Sequence, residues 1–206
     1  MISNCQSLLL LSVAGLFTCG CNMTFHIRIQ SDPLKRPAVT RPGEVAMGEL
    51  NDSRAVADKS QIGIARNGFG VETGTVKIKD NAKLESIIAE SVVAALKEAG
   101  YRVVSPDDPI GKGLRHRLEG EVTEFWIDGS GWNLWNKVTL VLRLRDSDTG
   151  VVMWEREFKG QEDTPNAIGI WQASQQSVRE ALAIALNAAV VEFTSDEFHS
   201  KATARK

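Results

Sequence analysis

The sequence predicts an α+β fold, an antiparallel or mixed sheet with two helices, about 82–99 and 170–194, packed on it. Three observations predict it. Leu84, Ile87, Ile88, Val92, Ala95 and Leu96 recur at helical spacing. Apolar and polar residues alternate along three long segments between 118 and 159, and a second helical stripe follows them. Two amphipathic helices need a sheet face to cover. The chain has 206 residues, 43% apolar and 24% charged, enough for one globular domain with tails.

The predicted elements follow in order. Glu44 to Leu50 reads as a first strand, ended by the turn-forming Asn51-Asp52-Ser53-Arg54. Residues 61–79, with four Gly, read as an irregular loop or small hairpin. Helix 82–99 follows the capping-type residues Asp80 and Asn81 and stops at Gly100. Tyr101 to Val104 is a short strand. Leu118, Gly120 and Val122 alternate with Glu119, Glu121 and Thr123 before Phe125 and Ile127 shift the apolar phase by one, so a bulge is predicted near Glu124. Val138, Leu140, Leu142 and Leu144 mark the next strand, and Asp146 to Gly150 turns into a third, giving an antiparallel meander. In the last helix Trp171, Gln175, Val178, Leu182, Ala185, Ala189 and Phe193 lie near one stripe. Trp154 and Trp171 read as core.

The N-terminus reads as an address. Residues 8–17, LLLLSVAGLF, are followed by Thr18-Cys19-Gly20-Cys21. The run is too short for a bilayer of about 30 Å and fits the apolar region of a cleaved export signal. The preceding MISNCQS carries no Lys or Arg. A small residue before Cys resembles the lipobox of bacterial lipoproteins, whose thiol is lipidated. Cys21, after Gly20, is the predicted lipidation site. Cys19 is the alternative, with Leu16 three positions upstream but Thr18 at the cleavage position. The three Cys, at 5, 19 and 21, leave none for a disulfide framework or Cys-zinc site in the body. Asn22 stands where Asp, in enterobacterial lipoproteins, favours inner-membrane retention. That resemblance implies the outer membrane, periplasmic face. The predicted organisation is a signal peptide at 1–20, a lipid-anchored Pro-containing tether at 21–42, one domain at 43–197 and a polar tail at 198–206.

The mature chain resembles the YajG-like family of bacterial lipoproteins. The Cys anchor, the tether with Pro33, Pro37 and Pro42, and the strand ending in Asp52-Ser53-Arg54 with Ile62-Gly63 soon after carry the resemblance. So do the helix closing on Ala99-Gly100-Tyr101, the strand pair around RDSDTGVVMWEREFKG and the long last helix. From the first helix onward the layout is also similar, more distantly, to the periplasmic domain of curli-secretion-channel lipoproteins. The YajG-like resemblance implies an α+β sandwich at the outer membrane and brings no catalytic residues.

Little catalytic chemistry is visible. The net charge of −2 gives no basic field for nucleic acid. His26, His116 and His199 read as solvated surface, and no G-x-S-x-G, Walker loop or H-E-x-x-H is present. Asn67-Gly68-Phe69-Gly70 lacks the strand-to-helix context of a phosphate loop. Glu119, Glu121 and Glu124 could pair for glycoside chemistry, yet a solvated sheet face explains them. Asp52 and Arg54 read as turn residues that pair or cap, with a loop ligand site as the alternative. Trp126, Trp132 and Trp135 flank Asp128-Gly129-Ser130-Gly131. They read either as hairpin packing or as a surface for a protein, glycan or lipid headgroup.

The expectation is a non-catalytic envelope module without cofactor or metal, bound to the membrane by its N-terminal lipid, with an unknown envelope protein or glycan as partner. A homo-oligomer is possible on this reading. The alternatives are an oligomeric secretion-channel subunit, with 125–138 as the inserted segment, and, more weakly, an envelope hydrolase.

Overall fold

The computed structural model describes residues 23–30, 32–130, 133–165 and 170–206. Its elements are β1 (Met23–Ile27), β2 (Gly43–Asp52), β3 (Gln61–Arg66), β4 (Glu72–Ile78), α1 (Leu84–Glu98), β5 (Tyr101–Val104), α2 (Pro109–Gly113) and β6 (His116–Ser130). Then come β7 (Asn133–Asp146), β8 (Val152–Thr164), α3 (Ile170–Phe193) and α4 (Asp196–Ala202). All eight strands join one mixed sheet, so the fold is α+β.

β6 organises that sheet. Along one edge it pairs antiparallel with β7 from His116–Asp146 to Ser130–Asn133, and β7 pairs antiparallel with β8. The other edge is shared: Arg117 to Val122 pairs with β2 and Ile127 to Ser130 with β3, both parallel. β5 flanks β2, while β4 and then β1 flank β3. The predicted bulge is present. The β6–β7 register shifts between Val122 and Glu124, which lets Leu118, Val122, Phe125 and Ile127 all enter the core despite the break in alternation.

α1 and α3 cover one face of the sheet. α1 buries Leu84, Ile88, Val92, Ala95 and Leu96, and Gly100 ends it at φ 101°, a left-handed cap conformation that glycine adopts without steric cost. α3 buries Val178, Leu182, Ala185, Ala189 and Phe193 on the predicted stripe, but Gln175 is exposed and Ser174 and Ser177 are buried instead. Trp154 is in the core, while the Trp171 side chain lies outside the described residues. On the opposite face α2 covers only a small cluster of Ala46, Val104 and Leu114.

Residues 61–79 take the hairpin alternative, as β3–β4, and not the loop. Several other expectations are corrected. Asp80 does not cap α1, whose N-cap is Lys83; Asp80 lies in a short 3-10 turn at φ 63°. The 21–42 segment is not a free tether where it is described. Met23–Ile27 is a sheet strand, and beyond it Ile29 is buried and Leu34 packs on the core. The Lys35 amide reaches Asn187 Oδ1 at 2.7 Å and Arg41 Nε reaches the Thr194 carbonyl at 3.2 Å. Proline keeps this strap extended, and α3 satisfies its polar groups. Residues 198–206 are not merely a tail. Phe198 and Ala202 are fully buried, and Phe198 packs on Phe193 (4.8 Å between centroids), Trp154 (5.0 Å) and Tyr101 (5.7 Å).

Candidate functional site

The sheet face without α1 and α3 carries an open groove of about 770 Å³. The outward positions of β6 and β7 line it, because alternation sends Leu118, Leu142 and Leu144 to the core and their neighbours outward. Those neighbours form an alternating charge lattice. Arg145 Nε donates to Glu119 Oε2 at 2.9 Å, and Arg117 pairs with the other oxygen of Glu119. Arg143 Nη1 lies 2.6 Å from Glu121 Oε1, while its Nε donates to Glu155. Met47, Ser53, Pro106 and Asp107 complete the rim.

The lattice holds its charges in place. Glu121 accepts from Ser53 Oγ at 2.6 Å, and this bond, then Arg143, holds its carboxyl below the ordinary value against the opposing effect of burial. Glu155 and then Glu121 raise Arg143 in turn. Glu119 and Glu121 do share a face as expected, each occupied by arginine. Glu124 lies further along β6, 2.8 Å from Lys137 Nζ and within reach of Thr139 Oγ1 at 3.2 Å. The groove was not anticipated. Its signal was the arginines of RLRD, two apart like the carboxylates of EGE, on strands predicted to be neighbours.

Asp52 and Arg54 form a buried bidentate pair, Nε to Oδ1 at 2.9 Å and Nη2 to Oδ2 at 2.7 Å. Arg54 also donates to the carbonyls of Gln61 (2.9 Å), Lys59 (2.6 Å) and Phe125 (3.3 Å). All five N–H donors of the guanidinium are thereby used, leaving none for a ligand. Burial pushes the Asp52 carboxyl up, but the hydrogen bonds and charge of Arg54, with Lys59 adding, outweigh it and leave the group below its usual value.

Trp126 is half-buried and Trp135 is 43% exposed. Both lie on the outer sheet face, opposite Lys137 and Asp128 respectively. Trp132 lies outside the described residues, as do Cys19 and Cys21. The 125–138 segment, where described, belongs to the sheet: Ile127 to Ser130 pairs with β3, and Leu134 to Val138 with β8.

The histidines fall in three environments. His26 is exposed on β1. His116 is not solvated surface: it is 4% exposed, its Nδ1 donates to the Lys201 carbonyl at 2.7 Å, and its Nε2 lies 3.8 Å from Asp146 Oδ2. Its β6 position places it on the core face, where α4 covers it. The Thr149 amide and then Arg115 hold the Asp146 carboxyl well below the carboxylate range, with Asp148 adding and burial opposing. His199 is half-buried, with Nδ1 3.1 Å from the Tyr101 hydroxyl. Among the described residues no group of three or more His, Cys, Asp or Glu is placed to hold a metal. No described helix is long and apolar enough to cross a membrane.

No family model matches the chain, and no curated protein matches it in sequence. Among solved structures it is similar to a protein from Xanthomonas campestris of family DUF330, at 16% identity over 84% of this chain and 92% of that one, TM-score 0.47. It is also similar to the lipoprotein GNA1162 from Neisseria meningitidis, at 16% identity over 66% and 95%, TM-score 0.34. A minor lipoprotein from Acinetobacter baumannii is similar at 9% identity over 84% and 98%, TM-score 0.36. The functional reading rests on the chain's own residues.

Proposed function

We propose that this is a lipid-anchored envelope lipoprotein of the YajG-like kind, held at the periplasmic face of the outer membrane through Cys21, that binds a polar partner without catalysing its conversion. The open groove on the sheet face opposite α1 and α3 carries the reading. Its arginines and glutamates neutralise one another, so it suits a partner that offers both charges or many hydroxyls, such as a polar protein surface or a glycan. A general acid needs a raised carboxyl pKa; Glu121 is shifted the other way. The groove lining contains no histidine or cysteine to act as base or nucleophile.

The test is crosslinking in intact cells through a photoreactive residue at position 107, on the groove rim, with captured species identified by mass spectrometry. A discrete envelope protein or glycan supports the reading. Capture of a second copy alone makes the groove a self-association surface, and no capture overturns the binding role. Acyl labelling of Cys21→Ser checks the anchor: labelling should be lost, and its persistence moves the anchor to Cys19.

A further inference from the structure

One end of the sheet gathers apolar side chains that the core does not use. Register partners Met23, Gly74, Ala65, Gly129, Leu134 and Thr164 form a single rung across β1, β4, β3, β6, β7 and β8. β1 starts on that rung, and the turn joining β3 to β4 lies beyond it at the same end. Phe69, at the tip of that turn, is 94% exposed, Val71 beside it 60%, and Met23 50%. Trp135 is next to the rung, on the neighbouring hairpin.

The β3–β4 turn is built to hold Phe69 outward. Asn67 Oδ1 accepts from the amides of Phe69 (2.9 Å) and Val71 (3.0 Å), and the Asn67 amide donates to the Val71 carbonyl at 2.9 Å. Arg66 is tied back to Asp128 Oδ1 at 3.1 Å and to the Gly70 carbonyl at 3.2 Å. Among the described residues nothing covers the ring, and a fixed, fully presented phenyl group is an unfavourable feature in water.

Met23, the first described residue, lies at this end, with 22 residues before it in the sequence. Cys21 is two residues away, so an acyl group on it is tethered to the rung by no more than about 7 Å of backbone. We propose that this end docks on the lipid surface that holds the anchor, with Phe69, Val71, Met23 and Trp135 seated at the headgroup–acyl boundary. This rests on the lipid-anchored reading above. Aromatic residues with aliphatic neighbours suit that boundary, and a second, noncovalent contact fixes orientation where a lipid chain alone leaves the domain free to swivel. The groove then points away from the membrane, because Arg117 to Glu121 lie at the opposite end of β6 from Gly129.

The test is full-length lipidated protein in phosphatidylethanolamine–phosphatidylglycerol vesicles, with a photoreactive residue at position 69 or at 151. Val151 is also apolar and exposed, at 56%, but sits in the β7–β8 turn at the far end. The expected result is protein that floats with the vesicles, acyl-chain adducts from position 69, and none from 151. Floating protein with no adduct at 69, or equal adducts at both positions, overturns the docking and leaves the anchor intact. Adducts from 69 only to a second copy make this end a protein interface instead. Protein that does not float overturns the anchored reading and the docking with it.

Discussion

The carbonyl oxygen of Phe125 accepts a hydrogen bond from Arg54 Nη1 at 3.3 Å, at the point along β6 where one parallel neighbour stops and the next begins. β2 leaves the ladder after the Ser53 amide reaches the Val122 carbonyl at 3.0 Å, and β3 joins at Ile127. Between them the edge of β6 has no strand beside it. The guanidinium fills that gap and bonds the carbonyls of Phe125, Lys59 and Gln61, while Asp52 at the end of β2 neutralises it.

Replacing this arginine should therefore be costly in a way that depends on shape as well as charge. Arg54→Met removes the forked partner of a buried carboxylate and the donor to several carbonyls, and should destabilise the fold by about 3–5 kcal/mol. Arg54→Lys keeps the charge without the fork and should also be destabilising, by a smaller amount. Urea unfolding followed by far-ultraviolet circular dichroism measures both, and wild-type midpoints would refute the role.

Acid should weaken the fold through the same pair. Asp52 has a folded pKa below its ordinary 3.8, so the unfolded chain binds protons first as pH falls. The stability it lends is complete above that ordinary value and is lost as pH drops through the lower folded one. Glu121 and Asp146 are shifted in the same direction and add to the effect. Thermal midpoints between neutral pH and pH about 2 should fall most steeply below about 4, and Asp52→Asn should flatten that fall.

Helix α3 lies directly on the backbone of β8 at Gly160. A Cβ there would meet the Ala181 carbonyl oxygen at 1.8 Å and the Ala185 nitrogen at 3.0 Å, both helix backbone. Gly160→Ala should cost about 1–3 kcal/mol or more, because the whole helix must move. Gly68→Ala, in the β3–β4 turn with nothing near its Cβ, is the control. Equal thermal midpoints for the two would contradict this packing.

Three aromatic substitutions separate surface from core. Trp135→Ala should change the unfolding free energy by about 0.5 kcal/mol or less, as expected of an exposed side chain. Trp154→Ala should cost about 3–5 kcal/mol, since that ring is buried against Phe158 and Phe198. Phe198→Ala should cost a similar amount and show that the C-terminal residues belong to the fold. Calorimetry of the three variants decides the order.

Periodicity made the helices and the β6–β7–β8 meander legible, down to the bulge at Val122–Glu124, because a one-residue change of apolar phase has few physical solutions. It could not find β1 or the strap after it. Five residues, MTFHI, at a sheet edge bury little, and the strap is held by Asn187 and Thr194, more than 150 positions away. Phe198 was missed for a related reason: one buried ring in a polar heptapeptide leaves no repeating signal. The Asp52–Arg54 pair was visible as a pair, but the gap it fills exists only once β6 has two partners. The groove's residues lay on predicted strands, yet their pairing depends on β6–β7 register, which spacing alone does not fix.

The sharing of one β6 edge by β2 and β3 also sets an order of events in folding. β2 pairs only with β5 and β6, both encoded later, and β3 has only the β4 hairpin as a local partner. The β2–β5 pair and the β3–β4–β1 group of the sheet therefore stay separate until β6 joins them along one edge, with β7 closing its other edge. Long-range parallel pairing of this kind is slow to form because chain closure precedes its reward. The first hundred residues cannot commit to their final arrangement during synthesis. A nascent chain that stops short of β6 should therefore leave β2 and β3 without the strand that joins them.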